Sequence, residues 1–200
     1  MKSGASGHRL FLALFVPEAL HPALGRQAKA WLTNFGAGLR AVPERNLHLT
    51  LAFLGDLPEE SHAPLVAAVR EICATTPPLS LRLAGCGAFP DARRPQTLWA
   101  GVHGDLEPLS GLARRLRAAC EPLAPKLAPN PFTPHLTLAR PSRTIAKPPI
   151  ELRPGIPVFG GWKAEAVVLA QSYLGGGPPR YEERDRFALG KGPPAKSPQS

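Results

Sequence analysis

Two identical tetrapeptides hold the residues best suited to chemistry in this chain. His48-Leu49-Thr50-Leu51 returns as His135-Leu136-Thr137-Leu138, 135 − 48 = 87 positions later in a chain of 200 residues. Side chains alternate faces along a strand, so in each copy the histidine and threonine share one face and the two leucines share the other. At about 3.3 Å per residue, imidazole and hydroxyl stand about 7 Å apart. Two such strands side by side would make a pocket with two imidazoles and two hydroxyls. Histidine has an ordinary pKa of about 6.5, so one ring can accept a proton while the other donates one. The hydroxyls can donate to non-bridging phosphate oxygens, and Arg140, just after the second copy, can pair with the same oxygens. This set suits acid–base chemistry on a phosphate and needs no metal. A solitary His-x-Thr is usually a surface or satisfied histidine, but two copies in matching places are harder to dismiss. A zinc site would want Cys, Asp or Glu at neighbouring in-facing positions, and neither copy has one.

The elements that must position these residues can be read in order. Arg9 to Val16 is an apolar run that reads as a buried strand. Pro17 opens a helix to about Phe35, with Leu20, Ala23, Leu24 and Ala28 at helical spacing. Leu39–Val42 and Asn46–Leu54 read as extended segments around Pro43, ended by a turn at Gly55-Asp56. A helix follows Pro58, with Leu65, Val66, Val69 and Ile72 on its apolar side. Strands are expected over Leu79–Phe89 and Thr97–Val102, then a helix from about Asp105 to Cys120. The second motif strand follows, then a proline-rich connection over Pro141–Pro157, a strand within Lys163–Leu174 and a final strand over Arg180–Leu189. His21 and His62 fall in helices and are expected to be exposed. The motifs occupy corresponding places in two halves, which predicts an internally duplicated α+β protein. One two-lobed domain over residues 8–190 is expected, with loose tails at 1–7 and 191–200.

Composition bounds the partners. Twenty-four Lys and Arg against 15 Asp and Glu give +9, which favours phosphate-bearing partners such as nucleic acid. Cys73, Cys86 and Cys120 have no metal-type spacing and cannot all pair, which fits a reducing cytoplasmic setting. Leu10–Val16 is seven residues long and ends at Pro17, so it reads as a strand rather than a signal segment, and no run approaches a membrane span.

Together these residues resemble the 2H phosphoesterase superfamily, and within it the bacterial and archaeal RNA 2′,3′-cyclic phosphodiesterases, historically called 2′–5′ RNA ligases. The resemblance is carried by Arg9-Leu10-Phe11-Leu12-Ala13-Leu14, Asn46 to Gly55 around the first motif, Trp99-Ala100-Gly101-Val102, Pro134 to Arg140 around the second, and Leu169-Ala170-Gln171-Ser172-Tyr173-Leu174. It implies a bilobal α+β fold with a pseudo-two-fold axis, mostly antiparallel sheets lining a central cleft, and helices outside. It implies cofactor-free, metal-independent hydrolysis of 2′,3′-cyclic phosphate ends of RNA, or of a 2′,3′-cyclic nucleotide, to a 2′-phosphate. His48 is then the proton donor to the leaving 3′ oxygen and His135 the proton acceptor from water. Thr50, Thr137 and Arg140 hold the phosphate, and Phe53 stacks on the terminal base. A cytoplasmic monomer is expected. Reversible 2′–5′ RNA ligation and non-catalytic binding of RNA ends are the alternatives. Phe53 and Arg140 have the opposite parity from their motif histidines, so a regular strand would aim both away from the cleft, and a bulge or the end of the strand could redirect them.

Overall fold

Three prolines and the alternation of leucines lay out much of the chain. Pro17, Pro43 and Pro58, with φ of −61°, −55° and −63°, each lead into a short 3-10 turn, at Glu18–Leu20, Glu44–Asn46 and Glu59–Ser61. A ring-fixed φ suits the entry to a helical turn. The turns after Pro17 and Pro58 run directly into helices α1 (His21–Phe35) and α2 (His62–Ala74). The computed structural model describes residues 8–35, 39–124, 132–141, 158–173 and 179–190. Within them the strands are β1 (His8–Phe15), β2 (Leu39–Ala41), β3 (His48–Leu57), β4 (Leu79–Phe89), β5 (Thr97–Gly104), β6 (His135–Pro141), β7 (Val158–Ala164), β8 (Ala166–Tyr173) and β9 (Arg180–Ala188), with helix α3 (Leu106–Cys120) between β5 and β6. The expected tails at 1–7 and 191–200 and the connection at 142–157 lie outside the described residues.

The strands form two sheets, in spatial order β3-β1-β8-β9 and β2-β6-β5-β4-β7, and every described pairing is antiparallel. With the short β2 set aside, the second sheet reads β6-β5-β4-β7. Each sheet thus begins at a motif strand and continues through three more. The expected α+β duplication is visible in this order.

The leucine faces of both motif strands enter one core. Leu49, Leu51 and Leu54 of β3 and Leu136 and Leu138 of β6 are buried together. Each such side chain stabilises the fold by about 1.5–3 kcal/mol through burial. Helical spacing turns Leu65, Val69 and Cys73 of α2, and Leu109, Leu112, Leu116 and Cys120 of α3, into the same core. The two helices pack on each other, α2 also against β9 and α3 against β3. Burial pushes the Cys73 thiol up to about 12 and those of Cys86 and Cys120 to about 11, so none is a ready thiolate.

The structure corrects several expectations. β3 does not turn at Gly55-Asp56 but runs on to Leu57, because Gly55 takes up a φ of 76° within the strand. The strand expected within Lys163–Leu174 is β8, but a further strand, β7, precedes it over Val158–Ala164 and takes up Lys163, the two being separated at Glu165. His21 and His62 are half-buried rather than exposed. The His21 ring bonds the Val16 carbonyl at 3.1 Å, and His62 Nε2 lies 2.9 Å from Asp185 Oδ2 on β9. No described helix is long and apolar enough to cross a membrane.

Candidate active site

The two motifs meet in one cleft of about 230 Å3, lined by His48, Thr50 and Phe53 from β3 and by His135, Thr137 and Arg140 from β6. All six residues singled out from the sequence are therefore brought together. Phe53 and Arg140 arrive there because each motif strand contains a bulge. Across β3 and β1, Thr50 faces Ala13 and Ala52 faces Leu12, leaving Leu51 unmatched. Across β6 and β5, Thr137 faces Trp99 and Ala139 faces Leu98, leaving Leu138 unmatched. The extra residue restores parity at the fifth position after each histidine, 48 + 5 = 53 and 135 + 5 = 140. Both strands accordingly show the same six-residue pattern: half-buried, buried, half-buried, buried, buried, exposed. The cause is readable in the sequence. Leu51-Ala52 and Leu138-Ala139 are consecutive apolar pairs, and strict alternation cannot bury both members of a pair.

The duplicated positions carry different chemistry. Beside Phe53 on β1 stands Phe11, with ring centroids 6.1 Å apart. Arg140 Nη1 instead donates to Thr97 Oγ1 on β5, at 3.0 Å. One wall of the cleft thus offers aromatic faces and the other a guanidinium. Both catalytic candidates are anchored alike. His48 Nδ1–H donates to the Asn46 carbonyl at 2.6 Å, and His135 Nδ1–H donates to the Thr133 carbonyl at 2.8 Å. A carbonyl only accepts, so these bonds fix the tautomer and leave Nε2 as the nitrogen for proton exchange.

A model of the 2′-5′ RNA ligase superfamily matches residues 17–153. The chain belongs to this superfamily. It is 34% identical over 189 residues to an RNA 2′,3′-cyclic phosphodiesterase of Thermus thermophilus, covering 90% of each chain. It is 32% identical over 186 residues to a protein of the same name from Aquifex aeolicus, covering 91% of this chain and 97% of that one. Among solved structures, TT0787 of Thermus thermophilus superposes with a TM-score of 0.78 at 33% identity, covering 92% of this chain and 99% of the other.

In this superfamily member the two histidines sit in unequal surroundings. His48 is boxed by Phe11, Phe15 and Tyr181, with centroids at 5.0, 5.5 and 5.3 Å. Burial there pushes its pKa down to about 4; the bond to Asn46 opposes this, while the charges of Arg140 and His135 add to it. His135 meets Phe89 edge-on at 4.9 Å. Its pKa is also lowered, first by burial and then by Arg140, against the bond to Thr133.

Other cleft residues are not evident from the sequence. Asn46 is 2% exposed, and its side-chain amide donates to the Pro179 carbonyl at 2.6 Å. It therefore ties the segment before Tyr181 to the residue whose carbonyl holds His48. Tyr181 comes from β9, and Arg40, Val42 and Pro43 from the stretch around β2. Nothing in their spacing marks them; only long-range pairing brings them here. Among the described residues no three His, Cys, Asp or Glu side chains cluster so as to hold a metal ion.

Proposed function

We propose that this protein hydrolyses 2′,3′-cyclic phosphate ends of RNA, or 2′,3′-cyclic nucleotides, to 2′-phosphates, with His48 as proton donor and His135 as proton acceptor. Its kinship with curated RNA 2′,3′-cyclic phosphodiesterases makes it an enzyme of that kind. The observation that carries the mechanism is the pair of Nδ1-anchored imidazoles in one cleft with Thr50, Thr137 and Arg140. His135 Nε2 takes a proton from water as its oxygen attacks phosphorus. The bond to the 3′ oxygen breaks, and that oxygen leaves with the proton of His48. The phosphate stays on the 2′ oxygen as a monoester. Thr50, Thr137 and Arg140 donate to the non-bridging oxygens, where negative charge gathers. Phe53 offers its exposed face to the terminal base.

The depressed pKa of His48 gives the substrate a part in charging the acid. In the free cleft both rings are neutral near pH 7, so both are ready to act as bases. Burial is the main cause holding the rings down; a phosphate anion beside Arg140 offsets the guanidinium charge that adds to it and attracts a second proton. The Asn46 carbonyl, already accepting from Nδ1–H, stabilises the resulting imidazolium. Ligation is the same transfer with an RNA hydroxyl in place of water and would use the same residues. The working unit in this reading is one two-lobed domain over residues 8–190, acting as a cytoplasmic monomer without metal or cofactor.

The test is incubation with an oligonucleotide ending in a 2′,3′-cyclic phosphate, in excess EDTA. A 2′-phosphate product is expected, with near-complete loss for His48→Ala and for His135→Ala, since each proton transfer typically contributes ~10²–10⁴-fold. A 3′-phosphate product, or activity that disappears with the chelator, refutes the reading. Tight binding of this RNA without turnover would favour an end-binding module instead.

A further inference from the structure

The cleft does not end at Phe53. Past it a second groove of about 330 Å3 opens along the first sheet, lined by Arg9, Phe11, Phe53, Gly55, Ser172 and Tyr181. Phe53 and Tyr181 wall both spaces, so the groove adjoins the cleft. Strand register explains the layout. On β1, Ala13 lies beside Thr50, Phe11 beside Phe53 and Arg9 beside Asp56. Alternation puts Arg9, Phe11 and Ala13 on one face. Arg9 is four residues from the level of Thr50, about 13 Å along the strand. On the other side of β1, the small residues Ala170 and Ser172 face Phe11 and Arg9. This low floor lets Tyr181 lean across from β9 and meet Phe11 edge-on at 4.9 Å.

We propose that this groove binds the nucleotide that precedes the cyclic-phosphate end, with Arg9 on its phosphate and the aromatic walls beside its base. The inference rests on the function proposed above and narrows its substrate to RNA of two or more nucleotides. The inner cleft, at about 230 Å3, is smaller than the ~300–1,000 Å3 usual for small-molecule sites. A chain entering it must leave along an open path, and the groove supplies one. Aromatic rings beside a cationic side chain are the combination that tracks single-stranded nucleic acid without reading its sequence. The contact of Arg9 Nε with Asp56 Oδ1 is long, 3.9 Å, and both side chains are about half exposed. Such a surface pair is weak, so the guanidinium can turn to a phosphate while Asp56 returns to water. Ser172 adds a hydroxyl donor, and Gly55 has no side chain to narrow the groove.

The test compares kcat/KM for a 2′,3′-cyclic mononucleotide and for the dinucleotide ending in the same cyclic nucleotide. The wild-type protein is expected to prefer the dinucleotide. Arg9→Gln should reduce that preference about tenfold, the scale of one charge-assisted hydrogen bond. Ser172→Leu, which fills the groove without touching the charge, should also reduce it. The ratio is read within each variant, so a smaller folded fraction cancels. Equal turnover of the two substrates by the wild type, or an undiminished ratio in both variants, overturns the subsite. A wild-type protein that turns over neither substrate refutes the cyclic phosphodiesterase reading itself, which is a distinct result.

Discussion

The aromatic box around His48 should make this protein unusually sensitive to mild acid. The ring is enclosed by Phe11, Phe15 and Tyr181, and its pKa falls from 6.5 to about 4. In the unfolded chain the same ring titrates near 6.5. Between those values the unfolded chain binds more protons than the folded one, so stability falls as pH drops through the window. At 1.36 kcal/mol per pH unit, the loss is about 2 kcal/mol by pH 5 and about 3 kcal/mol once pH reaches 4. Above pH 6.5 this contribution is fully retained. His135 shifts in the same direction and adds to the loss. The assay is urea unfolding of wild type and His48→Gln from pH 7.5 to pH 4.5. The other titrating groups are shared and largely cancel in the difference. Wild type should lose about 2–3 kcal/mol more than the variant over this range, and inorganic phosphate should narrow the gap by stabilising the charged ring. Equal losses in the two proteins, or an NMR titration of His48 with a midpoint at 6 or above without phosphate, would refute this account of the cleft.

Three further outcomes follow from named contacts. Phe53→Ala should raise KM for cyclic-phosphate RNA by about 5–150-fold, since stacking on an aromatic ring is worth ~1–3 kcal/mol per base; steady-state kinetics would reveal an unchanged KM if no base rests there. Arg140→Gln should lower kcat/KM by about 10–100-fold and move the acid limb of the pH–rate profile upward, because the guanidinium charge adds to the effect of burial in holding both histidines down. Asn46→Ala should cost about 1 kcal/mol in urea unfolding, by removing the bond from its buried amide to the half-buried Pro179 carbonyl, and should lower kcat as the Tyr181 wall loosens from His48; a variant as stable and active as wild type would remove Asn46 from this role.

Much of this protein is legible locally. The proline-led helices over 21–35 and 62–74, the apolar β1 and the two motif strands follow from spacing that acts within a few residues. Gly55 reads as a turn, yet a glycine with positive φ can sit inside a strand as well as at its end, and which of these happens depends on the partner strand. The cut between β7 and β8 is hidden for a related reason. Trp162 to Tyr173 contains no glycine or proline to mark a break, and β4 on one side and β1 on the other decide where it divides.

The active site divides along the same line. By itself the sequence determined the paired His-x-Thr motifs, their shared face and the buried leucines opposite, because alternation along a strand is a property of the backbone. It also contained the Leu-Ala pairs that break alternation, although their meaning depends on a neighbour. Only the tertiary structure decided that Leu51 and Leu138 bulge, since a bulge exists only relative to the strand it is paired with. That choice turns Phe53 and Arg140 into the cleft. The aromatic box that makes His48 so much harder to charge was likewise decided in three dimensions. Phe11, Phe15 and Tyr181 lie 33 to 133 positions away from it along the chain, and desolvation depends on what surrounds a ring, not on what precedes it.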